Sequence, residues 1–354
     1  MEYDAVIATR NRAEVLKISI PLILEQSRPP RKLIVVDSSD DHDLVRRTVQ
    51  NVMSNSKVGL EILRSQKACS AHQRNLGIER VESPVVIFPD DDSFWWPGVG
   101  EAIMRIYERD TNGAIGGVCA REITVPPPSV HLDDGKIYKM TLADRIRQKI
   151  GRPRHIFDDF VCPDPLWIHG RTRWTVRPVP DWLNEENAAL VEFSGAARMS
   201  LRVEIIRNDG FDEDLGLYTG WAAYEDADIS FKVMRNHLFV GARNARAYHH
   251  KCPGQRSGGF NIGFLTQFNR AYVICRYSPP GSAARRALKR FAIYKMMQYL
   301  LDFRSQFGRD RVRGVWVAMQ AMKDLLDTPA EGLRQRYLEL CQEAMLQEDG
   351  NPKK

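Results

Sequence analysis

Three adjacent aspartates, Asp90, Asp91 and Asp92, directly follow the apolar run Val85-Val86-Ile87-Phe88-Pro89. A short uninterrupted apolar run reads as a buried strand of a parallel sheet. In open α/β sheets, ligands gather outside the carboxyl ends of such strands. Three neighbouring carboxylates repel one another, so folding alone gives no reason to collect them there. A divalent cation resolves the repulsion, because hard cations take oxygen ligands and Mg²⁺ bridges carboxylates to substrate phosphates. The plainer alternative is a solvated acidic turn, which suits a lone pair better than a fixed triplet. A second acidic cluster, Glu225-Asp226-Ala227-Asp228, opens a helical pattern, and the macrodipole by itself favours acids in a first turn. His249 and His250 close a short strand pattern over 245–250. One histidine there reads as structural; two, downstream of both acidic clusters, point to ligation.

The elements that must position these groups alternate. Tyr3 to Ala8 reads as a strand ending at Thr9-Arg10-Asn11-Arg12. A helix follows over 13–26, with Pro21 as a kink or restart. Leu33 to Val36 is a second strand, ending at Asp37-Ser38-Ser39-Asp40. The next helix runs over 43–53, capped by Asp40 or Asp41. A strand at 60–63, a helix at 70–80 carrying Arg74, and the strand before the aspartates complete the series. Strands alternating with helices indicate βαβ units and a parallel sheet. The chain holds no GxGxxG after its first strand and no GxxxxGK[ST], which disfavours ordinary dinucleotide binding and P-loop chemistry. Trp95 and Trp96 precede a helix at 99–109. Their rings suit a ligand face or a core equally well.

From 121 to 192 prolines interrupt the pattern, which reads as a loop-rich insertion with one basic helix near 142–150. A strand at 193–200 leads into a helix near 202–208, and helical patterning returns at 260–277. Over 285–313 there are nine Lys or Arg against Asp302 and Asp310. Apolar residues at helical spacing run through this stretch, as in a basic amphipathic helix that lies on a membrane surface or packs on the catalytic domain.

Composition bounds the rest. The 354 residues suffice for two domains or one large α/β domain with extensions. The net charge of +6 fits an anionic ligand, a membrane or nucleic acid without choosing among them. Cys69, Cys119, Cys162, Cys252, Cys275 and Cys341 show no CxxC pairing and read as reduced thiols. No basic-then-apolar leader and no run of about 18 apolar residues is present. A cytoplasmic protein is the expectation, with any membrane attachment peripheral, at the inner face.

Several segments together resemble family 2 glycosyltransferases of the GT-A fold. Residues 6–12 resemble the first strand and nucleotide loop of that family, and 34–39 its second strand, whose aspartate contacts the nucleotide base. Arg74-Asn75-Leu76-Gly77-Ile78 is similar to its ARNxG-type helix. Asp90-Asp91-Asp92 stands at the metal-binding DXD position. Ser194-Gly195 with Arg198 resembles the acceptor-side strand, and Gly210-Phe211-Asp212-Glu213 the segment after it. Glu225-Asp226 falls at the ED motif. The order holds over about residues 3–250.

The resemblance implies an α/β GT-A fold with a mostly parallel sheet flanked by helices. It implies a nucleotide half over 1–120, an acceptor half over 121–270 and a helical extension over 271–354. It implies inverting transfer of one sugar from a nucleotide-diphosphate sugar to a saccharide or lipid-linked acceptor, in cell-surface polysaccharide or glycolipid synthesis, with Mn²⁺ or Mg²⁺. Asp226 would be the base, with Glu225 as the fallback. Thr9, Arg10, Asn11, Arg12, Asp37, Arg74, Asp90 and Asp91 would bind the donor. Asp90, Asp92 and His249 or His250 would hold the metal. Trp95, Trp96, Ser194, Gly195 and Asp228 would meet the acceptor. Ser38 departs from the acidic residue often found after Asp37, and the QxxRW motif of processive members is absent, which argues for single transfer. A sugar nucleotidyltransferase and a non-catalytic basic module that binds membranes or nucleic acid are the alternatives. The first lacks its Gly-rich basic loop; the second should be basic throughout, yet the clearest cluster is in the tail, so no nucleic-acid partner is expected.

Overall fold

The computed structural model describes residues 1–130, 162–250 and 258–349. In chain order the elements begin with β1 (Tyr3–Thr9), α1 (Ala13–Leu24), β2 (Lys32–Asp37), α2 (His42–Met53), β3 (Gly59–Arg64) and α3 (Ser70–Ile78). Then come β4 (Val85–Pro89), β5 (Ser93–Trp95), α4 (Val99–Arg109), β6 (Ile115–Ile123), α5 (Pro165–Arg171), β7 (Ala188–Leu190) and β8 (Arg198–Arg202). The remaining elements are α6 (Val203–Ile206), α7 (Glu225–Val233), β9 (Leu238–His249), α8 (Gly259–Tyr277), α9 (Ala283–Leu300), α10 (Gln306–Asp327) and α11 (Leu333–Asp349). The chain divides into two units. Met1–Lys136, Arg173–Glu213 and Glu225–Cys252 form the first; Ile137–Thr172, Asp214–Tyr224 and Pro253–Lys354 form the second.

The first unit is built on one sheet in the order β3-β2-β1-β4-β8-β6-β9-β5, with β7 also paired to β9. β3, β2, β1 and β4 run parallel, as successive helical crossovers require. Beyond β4 the sheet is mixed: β8 is antiparallel to both β4 and β6, β6 and β9 are parallel, and β5 and β7 run antiparallel to β9. β8 follows β6 only after a long intervening stretch of chain. Ala5 and Ile7 of β1, Leu33 and Val35 of β2 and Ile87 of β4 point to one face, against Leu16, Ile20 and Ile23 of α1 and Ile103 and Tyr107 of α4. Each such fully buried aliphatic or aromatic side chain contributes about 1.5–3 kcal/mol. Gly77 brings α3 close onto the sheet, since a Cβ there would lie 2.3 Å from Val6 Cγ1.

Several expectations hold at residue level. Asp41 caps α2, accepting the Leu44 N–H at 2.9 Å, and α4 occupies the expected 99–109. α1 runs through Pro21 without a restart, closing with Glu25 N–H donating to Pro21 O at 2.9 Å. β9 is twelve residues long, longer than the expected strand. Of the 121–192 stretch, β6 takes the first residues to Ile123, and α5 and β7 lie in its described part. The expected helix at 142–150 lies outside the described residues.

The second unit stacks Phe260, Phe264, Phe268 and Tyr272 of α8 with Tyr337 of α11, with successive ring centroids 4.1–6.1 Å apart. α8 and α10 cross closely because Gly263 and Gly314 carry no Cβ. One at Gly263 would lie 2.1 Å from Arg311 O, and one at Gly314 2.2 Å from Phe260 O. The basic 285–313 stretch is not one helix. It turns after Leu300 and restarts at Gln306, where the Ser305 Oγ accepts the Gly308 N–H at 2.9 Å.

Candidate active site

The functional side chains of the first unit gather at the carboxyl ends of β1, β2 and β4 and at the end of β9. Pairing of β5 with β9 sets Ser93 opposite His249, so the aspartate triplet and the strand-end histidines meet. His249 Nε2 lies 3.2 Å from Asp92 Oδ1. Asp90, Asp92 and His249 each offer one ligand atom, all within 4.8 Å of one another. The two carboxylate oxygens suit a hard divalent cation such as Mg²⁺ or Mn²⁺, and the imidazole nitrogen tilts the set from Mg²⁺ towards a transition-metal ion. Burial opposes charge on His249, but the Asp92 carboxylate prevails and raises its pKa. His250 stands outside this cluster. Its backbone N–H donates to Asp92 O at 2.9 Å, its ring stacks on Phe94, and burial lowers its pKa.

Asp91, the middle aspartate, turns inward. It accepts the Thr9 hydroxyl at 2.8 Å and the Arg12 guanidinium at 2.8 Å, and Arg12 also reaches Asp92 at 3.2 Å. Burial raises Asp91 to about 7, against the pull of Arg12. Thr9 and Asp91 thereby tie the end of β1 to the end of β4, which leaves Asp90 and Asp92 for the cluster.

Arg74 is the second hub. Its guanidinium donates to Asp90 at 2.9 Å and to Glu225 at 2.8 Å, with only 6% of the side chain exposed. The arginine on α3 thus joins the aspartate triplet to the acid pair on α7. Glu225 is buried and pushed up to about 7, chiefly by burial and then by Asp226, with Arg74 opposing. Asp226 is half-buried and also raised by burial. Asp226 accepts the N–H of Ala227 at 2.8 Å, and a Cβ on Gly195 would lie 3.8 Å from its Oδ2. Gly195 thus stands at ordinary contact distance from the Asp226 carboxylate, with Arg198 Nε equally near.

The remaining expected residues divide between the site and its scaffold. Asn11, at a left-handed φ of 54°, donates its N–H to Ser39 Oγ at 2.6 Å and bonds Asp40 through its side chain, joining the loops after β1 and β2. Arg10 is exposed, 3.8 Å from Asp40. Asp37 is buried and accepts the Ser39 N–H at 2.9 Å. Ser194 is buried, its N–H on Ser230 Oγ at 3.2 Å. Asp228 is fully buried, 3.8 Å from Lys232. Trp95 lies in the core, as one of its two readings had it, and Trp96 is half-buried under Arg246, 4.3 Å from ring centroid to guanidinium.

Two contributors, Gln73 and His42, escaped the sequence reading, and a third, Asn75, entered it only as part of the helix motif at 74–78. Gln73 on α3 is buried and donates to Thr9 O at 2.9 Å and Val36 O at 2.7 Å, holding the ends of β1 and β2. His42 Nδ1 stands 2.6 Å from Asp37 Oδ2. Asn75 bonds Phe211 through both its amide groups, at 2.8 and 2.9 Å, and Glu213 at 3.1 Å, which in turn sits 2.9 Å from His72. The only available signal was their place one residue from Arg74 or a few from Asp37.

An α/β sheet that presents a cation-ready acid cluster and a linked acid pair at one edge is the layout of a GT-A glycosyltransferase. Residues 4–159 match the family model described as glycosyl transferase family 2, and the chain carries a glycosyltransferase domain of that family. Two solved structures, both of S. aureus TarS, agree on the fold. S. aureus TarS residues 1–349, in complex with UDP-GlcNAc, is similar with a TM-score of 0.52 and 14% identity, covering 100% of this chain and 93% of that one. A longer structure of S. aureus TarS gives 0.51 and 13%, covering 98% of this chain and 54% of that one. The mannosyltransferase PcManGT from Pyrobaculum calidifontis, in complex with GDP-Man and Mn²⁺, gives 0.48 and 12%, covering 98% and 88%. Comparison with the curated proteins matches none. The family match sets aside the nucleotidyltransferase and non-catalytic alternatives.

Proposed function

We propose that this glycosyltransferase moves one sugar from a nucleotide-diphosphate sugar to a hydroxyl of a saccharide or lipid-linked acceptor, by single displacement with inversion, in cell-surface polysaccharide or glycolipid synthesis. One observation carries the reading: Arg74 holds Asp90 and Glu225 on its two arms, so the acid cluster and the acid pair are parts of one site. Donor binding needs a diphosphate grip, and Arg12 beside Asp91 and Asp92 supplies a cation there, with Arg10 exposed nearby. The loop joined by Asn11 and Ser39, with Asp37 behind it, receives the nucleoside. Asp90, Asp92 and His249 would hold Mn²⁺ or Mg²⁺, which supplies Lewis-acid charge to the leaving diphosphate. The sequence reading had Arg74 contacting the donor; with both arms taken by carboxylates, it becomes a positioning residue.

An acceptor hydroxyl has a pKa far above neutral and needs a base in place. Asp226 fills that part better than Glu225. Glu225 is buried and spent on Arg74, whereas Asp226 is half-buried next to Gly195 and accepts the Ala227 N–H instead of an Arg74 arm. Asp226 takes the hydroxyl proton as the acceptor oxygen attacks the anomeric carbon, and one attack from the side opposite the leaving group inverts that centre. Asp228 and Ser194, both buried, support the strand and helix that carry this pair, and Trp96 is the aromatic left to border an acceptor.

Calorimetry with UDP and GDP, with and without Mn²⁺, tests the donor side. Binding that requires the cation, and that Asp92→Asn abolishes in a folded protein, is the expected result. Unchanged affinity in that variant would remove Asp92 from the site.

A further inference from the structure

In the second unit, the turn between α9 and α10 leaves its apolar side chains outside. Met297, Leu300, Leu301, Phe303 and Phe307 are exposed, Leu301 by 81% and Met297 by 60%. Ile293, also exposed, extends the row one turn back along α9. Single exposed apolar residues are ordinary, but a contiguous patch marks an interaction surface.

Two features say what covers it. The first is charge. Towards the start of α9 the same stripe turns basic, with Arg286, Lys289 and Arg290 exposed. At 1.5 Å per residue, Arg290 stands about 15 Å from Leu300 along the axis. An apolar end is thus followed by a cationic collar, the arrangement an interfacial helix offers to acyl chains and anionic headgroups. The second is that the turn satisfies its own polar groups. Arg309 donates to the carbonyls of Phe303 and Arg304 at 3.3 and 2.9 Å, and Arg311 pairs Asp302 at 2.6 Å. Ser305 caps α10 and also donates to Asp302 O at 3.0 Å. Backbone groups already bonded within the protein enter an apolar medium at far lower cost than free ones. No described helix is long and apolar enough to cross a membrane, so the surface suits the interface.

We propose that the α9–α10 turn docks on an anionic bilayer, with Leu300, Leu301 and Phe303 among the acyl ends and Arg286, Lys289 and Arg290 at the lipid phosphates. This deepens the lipid-linked acceptor of the function proposed above, but its test needs no turnover, so the two fail separately. It also changes the expectation drawn from charge alone, because an apolar contact persists when salt screens the collar.

The full chain is pelleted with vesicles of phosphatidylcholine alone and of phosphatidylcholine mixed with phosphatidylglycerol, at low and high salt. The mixed vesicles should carry the protein down at low salt, and a measurable share should remain bound at high salt. Leu301→Glu with Phe303→Glu, at exposed positions where folding is checked by circular dichroism, should lower partitioning about tenfold or more at both salts. Arg286→Gln with Lys289→Gln and Arg290→Gln should lower it at low salt only. The proposal is overturned if the full chain stays in the supernatant with mixed vesicles at low salt, or if the Leu301/Phe303 variant pellets like the parent. Sedimentation showing a dimer that this variant dissolves, with no vesicle binding, would assign the surface to a second copy of the chain.

Discussion

Asp226 and Glu225 adjoin in sequence but have different surroundings, and their variants should separate accordingly. Asp226→Asn should lower the transfer rate by about 10²-fold or more, as loss of a general base does, with nucleotide affinity retained. Glu225→Gln leaves Arg74 with Asp90 as its remaining carboxylate partner in a buried place, so it should lower stability first, read as a lowered melting temperature. A Glu225→Gln protein that is stable yet inactive, beside an active Asp226→Asn, would exchange the two roles. The pH dependence follows in sign. Burial raises the Asp226 pKa, and the base works deprotonated, so the rate should rise with pH through a value above the ordinary carboxylate range. Rate profiles at saturating Mn²⁺ would show this acid limb, and one at the pKa of an ordinary exposed aspartate would contradict it. At this scale the sequence told residue types and order. It did not tell that Asp91 turns inward while Asp90 and Asp92 face His249, because three adjacent aspartates are alike until the Thr9 hydroxyl and Arg12 select the middle one.

Elements carry their own tests. Asp4, on β1, accepts the N–H groups of Glu82 and Ser83 at 2.8 and 3.1 Å and pairs with Arg31 at 3.2 Å. Burial opposes its charge, yet these partners together hold its pKa below the usual carboxylate value. A lowered folded-state pKa adds stability above the unfolded value and loses it as pH falls through the folded one. Asp4→Asn should therefore destabilise at neutral pH, and the gap to the parent should close in acid, as read by urea unfolding across pH. In the second unit, Gly263→Ala places a Cβ 2.1 Å from Arg311 O and should cost roughly 1–3 kcal/mol, seen as a lowered melting temperature. A neutral Gly263→Ala would mean that α8 and α10 cross less closely than described. The strands and helices up to β4, and α4 after them, were readable because strand runs and helical repeats alternate cleanly there; β5, three residues directly after the aspartates, was not. The turn at 301–305 was not, since Leu300, Leu301 and Phe303 keep an apolar pattern running across it while Ser305 restarts the helix.

For the whole molecule, the family-level fold was readable from motif order, while the mixed half of the sheet was not. The antiparallel place of β8 depends on pairing across a long segment, which no local pattern encodes. The central claim is that one site, joined through Arg74, moves sugar from a nucleotide donor. Incubating the protein with a panel of nucleotide sugars and Mn²⁺, and measuring released nucleoside diphosphate, tests this directly. The account predicts release from one donor class above the others, dependent on the cation, lost in Asp92→Asn and strongly reduced in Asp226→Asn. Release at the parent rate in both variants, or from no donor on a panel spanning uridine, guanosine, thymidine and cytidine sugars, would contradict it.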